Sequence, residues 1–454
     1  MNEAIRVAMV SLGCARNLVD SEVLLGHAVE EGLQVVKEPE DADVVVVNTC
    51  GFIETAKQES IDTILSVSRL KEEGNLKGVI AVGCLAQRYG EELKKSIPEL
   101  DAVFGISDYT GVPDVVRRIV NGSTKRWSAT VTGGKPKGPR SDAKRLLLTP
   151  RSFAYLRISE GCDHKCTFCA IPKMRGRNRS KPMDVLVEEA QGLAAAGIRE
   201  LVVVAEDSTA YGLDFARKRL IHELMAKLAD VEGIEWVRLM YAYPHTVSQE
   251  LTTLMREHPK VVKYLDIPIQ HISTNMLRAM KRGVSSEQVR EILDRLRSEV
   301  PGIAVRSTLI TGFPGETEQD FAEARALVKD YGFERLGVFT YSREEDTPAF
   351  DMPDQVPAEV AEERRAELMK LQKKAMDRFQ KGLVGRTLPV IVDGFHADGA
   401  TLMGRTWADA PEVDCTVSLP ADCGAQPGDI VDVTIRSAGD YELTGALAAA
   451  RGKR

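Results

Sequence analysis

The chain has 454 residues, 43% hydrophobic and 28% charged, with a formal net charge of −7. No window reaches the roughly 20 apolar residues of a membrane span, and the acidic balance argues against a bulk nucleic-acid binder. Eight cysteines are too sparse for a disulfide scaffold at this length, so a cluster of them points to metal binding or catalysis in a reducing compartment.

At a prior of roughly 100–200 residues per domain, about three domains are expected. The opening "MNEAIRVAMVSLGC" has no charged leader before a long apolar run, so a cytoplasmic location is expected. From residue 5 to 120, short β-branched runs alternate with amphipathic stretches: "RVAMVSLG" precedes "VDSEVLLGHAVEEG", "DVVVVNTC" precedes "ETAKQESIDTILSVSRLKEEG", and "GVIAVGC" precedes "AQRYGEELKKSI". Continuous Val/Ile runs between helices predict a doubly wound α/β domain with a buried parallel sheet. Residues 121–145, rich in Gly, Ser, Pro and basic residues, read as a linker.

A second βα series starts at "FAYLRISEG" and contributes six strands: "AYLRIS", "ELVVVAED", "WVRLMYAY", "YLDIPIQ", "AVRSTLITGF" and "RLGVFTYS". A closed barrel of this type needs eight, so residues 148–379 predict a partial (β/α)6 barrel whose open side admits a large substrate. After the charged helix "AEVAEERRAELMKLQKKAMDRFQKG", five short strands with Gly, Asp and Pro turns predict a small OB-like β-barrel over 382–450.

The stretch "GCDHKCTFC" places Cys162, Cys166 and Cys169 within eight residues, directly after the first strand of the partial barrel. Such folds put their sites at that edge. Three thiolates on a 4Fe-4S cluster leave one iron open to chemistry, whereas a structural zinc closes its shell with four ligands. The alternative is a zinc knuckle with His164 as the fourth ligand, a cramped arrangement only two residues from Cys162 and Cys166.

Cysteines spaced CxxxCxxC after the first strand of a βα barrel, with Phe168 before the third, resemble the radical S-adenosylmethionine (SAM) superfamily. The resemblance implies that SAM chelates the open iron and is cleaved to a 5′-deoxyadenosyl radical. It also implies that Glu206 and Asp207 of "AEDST" stand where the family contacts the amino group. Gln270, Arg306 and Ser307 are candidates for the carboxylate and the ribose or adenine side. "GFPGET" could serve the cofactor or could be a turn capping the next helix through Thr317. No catalytic residue beyond the cluster ligands is singled out.

Cys14, Cys50 and Cys84 each end a predicted parallel strand just before a helix, and in an open parallel sheet those ends share one edge. They predict a second 4Fe-4S cluster, also with an open iron; the alternative is three buried cysteines. Cys415 and Cys423 read as packing or turn residues. Two three-cysteine sets plus a C-terminal barrel resemble the methylthiotransferases over the whole chain, the barrel being that family's TRAM domain. The resemblance implies two 4Fe-4S clusters, SAM as methyl donor and radical source, and an electron donor such as flavodoxin or ferredoxin.

That family has a branch that modifies tRNA adenosine and a branch that modifies the β-carbon of an aspartate in ribosomal small-subunit protein twelve. "SLGCARNLVDSE", "NTCGFIETAKQESI", "YAYPH", "YLDIPIQHIS" and "YSREEDTPAF" resemble the second. Between Arg386 and Glu442, ten acids (Asp393, Asp398, Asp409, Glu412, Asp414, Asp422, Asp429, Asp432, Asp440, Glu442) face three arginines (Arg386, Arg405, Arg436). An acidic barrel suits a basic ribosomal protein and not RNA, so direct tRNA binding is not expected; the alternative is a solvated surface without a role.

Overall fold

The computed structural model describes residues 4–74, 76–106, 109–122 and 141–448; most of the predicted linker lies outside them. The first layer system is a five-stranded parallel sheet of β1 (Arg6–Ser11), β2 (Gln34–Val35), β3 (Val44–Thr49), β4 (Gly78–Gly83) and β5 (Ala102–Val103), in the order β2-β1-β3-β4-β5. The two-residue strands β2 and β5 carry too little pattern to be read from sequence. Helices α1 (Ala15–Glu30) and α4 (Val112–Val120) pack on Val44, Val46, Ile80 and Val82. Helices α2 (Glu54–Glu73) and α3 (Cys84–Ser96) cover Val45, Val47, Val79 and Ala81 on the other face. Burial on both faces is why β3 and β4 read as unbroken apolar runs.

The second sheet is six parallel strands: β6 (Phe153–Arg157), then, after the small hairpin β7 (Ser159–Glu160) and β8 (Arg179–Ser180), β9 (Glu200–Val204), β10 (Trp236–Leu239), β11 (Val261–Asp266), β12 (Ala304–Thr311) and β13 (Arg335–Thr340). Their order, β13-β12-β11-β10-β9-β6, leaves the barrel open between the first strand and the last. Helices α5 (Ile171–Arg175), α6 (Met183–Ala195), α7 (Leu213–Ala216), α8 (Ile221–Ala229), α9 (Gln249–Glu257), α10 (Thr274–Ala279), α11 (Ser286–Glu299) and α12 (Glu318–Tyr331) punctuate the strands. Thr317 and Asp320 form a reciprocal capping box on α12, so "GFPGET" is a turn and cap. Glu316 in the same turn accepts from Gly312 N at 2.6 Å and Arg364 Nη1 at 2.8 Å.

Helix α13 (Ala358–Lys381) leads into a closed five-stranded barrel of β14 (Thr387–Phe395), β15 (Thr401–Arg405), β16 (Thr416–Pro420), β17 (Ile430–Ala438) and β18 (Glu442–Leu447). No helix among the described residues is long and apolar enough to cross a membrane.

The β15–β16 loop of this small barrel enters the interior of the large one. Ala408 and Ala410 pack with Phe153, Tyr155, Val202, Trp236, Tyr264 and Ala304, while Val19 and Val23 of α1 join the same cluster. The loop is held by charge: Arg335 Nε donates to Asp409 at 2.9 Å, Arg306 Nη1 reaches Asp266 at 2.9 Å and Arg306 Nε lies 3.4 Å from Asp414. Tyr264 donates to Asp414 and Tyr155 to Glu412, both at 2.7 Å.

The acidic docking face expected from composition is cut back by these contacts. Asp409 and Asp414 are buried against Arg335 and Arg306 of the large barrel, and Asp393 pairs with Arg405 within the small barrel at 2.7 Å, whereas Asp398, Glu412, Asp422, Asp429, Asp432 and Asp440 stay exposed. Removing one partner of such a buried pair strands the other charge. Asp409→Asn is therefore expected to destabilise the protein by about 3–5 kcal/mol. Urea unfolding would check this; a loss below about 1 kcal/mol would mean that the loop is not a structural plug.

Candidate active site

Cys14 precedes α1, Cys50 follows β3 and Cys84 opens α3, so three neighbouring strands deliver three thiols to one edge. Strand order 2-1-3-4-5 puts the topological switch between β1 and β3, where open α/β sheets bind ligands. Close approach needs glycine here. A Cβ on Gly13 (φ 89°) would lie 2.9 Å from the Cys50 Cβ, and one on Gly83 (φ 97°) 2.2 Å from Asn48 Oδ1.

Asn17 staples the edge: its Nδ2 donates to Leu12 O at 3.1 Å and Thr49 O at 3.0 Å, while its Oδ1 lies 3.5 Å from Cys84 Sγ. The same Oδ1 accepts from Arg175 Nη2 at 2.9 Å. Arg175 belongs to α5, directly after the second cysteine set. One side chain thus links the two sets.

Cys162, Cys166 and Cys169 line a cavity of about 220 Å³ together with Arg16, Phe168, Glu206, Tyr241, Tyr243, Gln270, Arg282 and Thr308, among others. His164 is turned away from zinc-type ligation: its Nε2 is 2.6 Å from Asp207 Oδ2 and its ring stacks on Tyr243 at 3.6 Å. Among the described residues, no three His, Cys, Asp or Glu side chains close on a single metal ion. An all-thiol triad is the donor set that iron–sulfur clusters take.

The candidate cofactor residues separate. Glu206 and Gln270 face the cavity, Gln270 from a left-handed backbone (φ 73°). Asp207 lies behind, bonded to His164 and to Thr209 N at 3.0 Å. Arg306 is committed to Asp266 and Asp414, and Ser307 points outward to donate to Ile267 O at 2.8 Å. Their neighbour Thr308 lines the cavity instead.

The Glu206 side chain is buried, and neither carboxylate oxygen has a hydrogen-bond partner among the described residues. Burial pushes its carboxyl up, against the pull of Arg16 at 3.5 Å and Arg175 at 3.7 Å. Sequence reasoning missed Arg16, Tyr241, Tyr243, Arg282 and Thr308. Arg282 reaches Cys166 Sγ at 3.3 Å only because residues 279–282 fold back onto Thr167, which bonds Met280 O and Ala279 O.

Family models fit this layout: residues 6–105 match the Uncharacterized protein family UPF0004, 156–328 the Radical SAM superfamily and 384–447 the TRAM domain. A protein of Acetivibrio thermocellus named Ribosomal protein uS12 methylthiotransferase RimO is 44% identical over 445 residues, 97% of this chain and 98% of that protein. The chain belongs to the RimO family of radical SAM methylthiotransferases. RimO proteins of Trichlorobacter lovleyi (44% identical, 97% of this chain and 98% of the relative) and Anaeromyxobacter sp. strain K (46%, 98% and 94%) agree. Among solved structures, the radical SAM methyltransferase TsrM of Kitasatospora setae, with cobalamin and a [4Fe-4S] cluster bound, superposes with TM-score 0.53 at 16% identity. That match covers 76% of this chain and 74% of TsrM and extends the likeness of fold alone.

The thiols of this RimO-family site differ in acidity. Burial pushes Cys84, Cys162 and Cys169 up to about 12. Burial also raises Cys14, but Arg16 and Arg175 beside it prevail and hold it below the ordinary thiol value. In metal-free protein at pH 9, Cys14 should therefore be largely thiolate while those three remain thiols. Iodoacetamide footprinting with mass spectrometry should label Cys14 before Cys84, Cys162 and Cys169; equal rates at Cys14 and Cys84 would refute the assignment.

Proposed function

We propose that this chain methylthiolates the β-carbon of an aspartate in ribosomal small-subunit protein twelve, uS12, with Cys162, Cys166 and Cys169 holding one 4Fe-4S cluster and Cys14, Cys50 and Cys84 a second. The observation that carries this is that Arg16, beside Cys14, lines the cavity of Cys162, Cys166 and Cys169, while Asn17 joins Cys84 to Arg175 just after that second triad. The substrate class is supported by the names of the full-length relatives. A flavodoxin or ferredoxin would supply the electron, and tRNA is not the substrate.

When bound, the clusters and SAM supply a 5′-deoxyadenosyl radical on one side and sulfur with its methyl group on the other. The chain's own residues bind and orient. Glu206, whose oxygens lack protein donors, suits the ammonium of the methionine moiety. Arg282, anchored by Pro268 O at 2.6 Å and lying over the Tyr243 ring at 4.2 Å, places a cation beside Cys166 for the adjacent carboxylate. Gln270 and Thr308 offer neutral donors and acceptors for the ribose or adenine side. Tyr241, Tyr243, Phe168 and Ile171 keep water from the reacting carbon.

Replacing Cys162, Cys166 and Cys169 together by Ala should halve the iron of the reconstituted protein and abolish SAM cleavage. The matching triple replacement of Cys14, Cys50 and Cys84 should halve the iron but leave 5′-deoxyadenosine formation, while methylthiolated uS12 disappears. Mass spectrometry of uS12 and of bulk tRNA, from cells with and without the gene, tests the substrate. Loss of a methylthio group from tRNA alone would overturn it.

A further inference from the structure

We propose that Arg16 is the residue that recognises the carboxylate of the substrate aspartate, and so sets the specificity for aspartate. This inference rests on the proposed substrate class and goes on to name the group that reads it.

Arg16 lies two residues after Cys14, at the start of α1, yet its side chain leaves the N-terminal layer and lines the cavity of the other triad. Its guanidinium is almost wholly enclosed and underused. Nη1 donates to Ala205 O at 2.8 Å; Nε is buried without a hydrogen bond, and Nη2 makes none among the described residues. The Tyr241 ring lies 5.1 Å from its centre and supports the charge from one face. Glu206 Oε1, at 3.5 Å from Nε, balances charge without a hydrogen bond.

An enclosed guanidinium with free N–H groups is an open site for a planar anion. The other arginine on the cavity wall, Arg282, is already directed to Cys166 Sγ and Pro268 O. The third cationic candidate, His164, is bonded to Asp207.

Position supplies the second part of the case. A carbon that is first activated beside one triad and then receives sulfur from the other must sit between them. Arg16 is the cavity-lining residue that comes from the Cys14 side. The carboxylate of an aspartate is one bond from its β-carbon, so anchoring it on Arg16 holds that carbon between the triads. A site that offers free N–H donors to a carboxylate discriminates against the neutral amide isostere, whose NH2 would face those donors.

The test is binding of uS12 to the cluster-loaded enzyme with SAM and no reductant, comparing uS12 with a form carrying asparagine at the target. Wild-type enzyme should prefer the aspartate form by about tenfold to hundredfold, the range of one hydrogen-bonded charge. Arg16→Gln should bind both forms alike, and Arg16→Lys should restore part of the preference. Iron content and circular dichroism report whether each variant is folded and loaded. A folded Arg16→Gln that still discriminates, or that loses SAM affinity while keeping discrimination, overturns the proposal. Wild-type enzyme that modifies no uS12 at all overturns the substrate reading instead, and this proposal with it.

Discussion

Asp20, on the first helix of the chain, accepts from two arginines of the central barrel, Arg157 at 2.5 Å and Arg175 at 2.8 Å, and all three side chains are buried. The network continues through Glu160, Asp142, Lys181 and Glu189 at 2.5–3.0 Å. Dehydrating so many charges gains little net stability over a well-packed apolar contact, but breaking any one pair is costly. What such a network supplies is register. An apolar interface between α1 and the barrel could slide by a fraction of a turn, whereas a carboxylate gripped by two guanidiniums cannot. The register matters because α1 begins at Cys14 and carries Arg16 and Asn17, so the grip on Asp20 also fixes the distance between the two thiol triads. A second clamp on the far side, Glu344 with Arg88 at 2.9 Å and Lys57 at 3.1 Å, resists rotation about the first.

The C-terminal barrel completes the same design from below. Its β15–β16 loop fills the interior of the partial barrel, where a closed eight-stranded barrel would fill itself with its own side chains. Six strands leave too wide a space for that. Arg238 shows the solution on a small scale: fully buried, it bonds Glu200 at 2.6 Å within the barrel and Trp407 O of the loop at 2.7 Å. The N-terminal layer flanks the gap between the first and last strands, with α1 packed by β6 and Arg88 and Lys57 bound to Glu344 just after β13.

The placement of the two sets of three cysteines was legible because a parallel βα pattern fixes where strand ends lie, and thiols at strand ends share an edge whatever the helices do. Side-chain parity was not resolved there, since the adjacent Arg306 and Ser307 of β12 point to opposite faces. What parity cannot give is depth. Arg306 and Thr308 project from β12 to the same side, but only Thr308 reaches the cavity, while Arg306 lies lower and meets Asp414 from a loop more than 100 residues away in sequence. Arg16 escaped notice for a related reason: nothing local says that a residue two places after a cysteine will serve the neighbouring site. Counting acids failed most plainly, since a composition does not distinguish Asp409 against Arg335 from an aspartate in water.

That failure changes where selectivity for the substrate should be sought. Exposed on the C-terminal barrel are Asp398, Glu412, Asp422, Asp429, Asp432 and Asp440, with Arg386 and Arg436 among them. Charges of this kind are screened within about 8 Å at physiological salt, and a pair of them is worth about 0–1 kcal/mol. They can bias encounters with a basic partner without choosing an atom on it. A guanidinium enclosed among Tyr241, Glu206 and Ala205 acts in a far less polar medium, where a matched carboxylate gains more and a mismatched amide loses more. On the proposed function, recognition of the target carboxylate therefore belongs to the cavity, while the C-terminal barrel seals and places the fold.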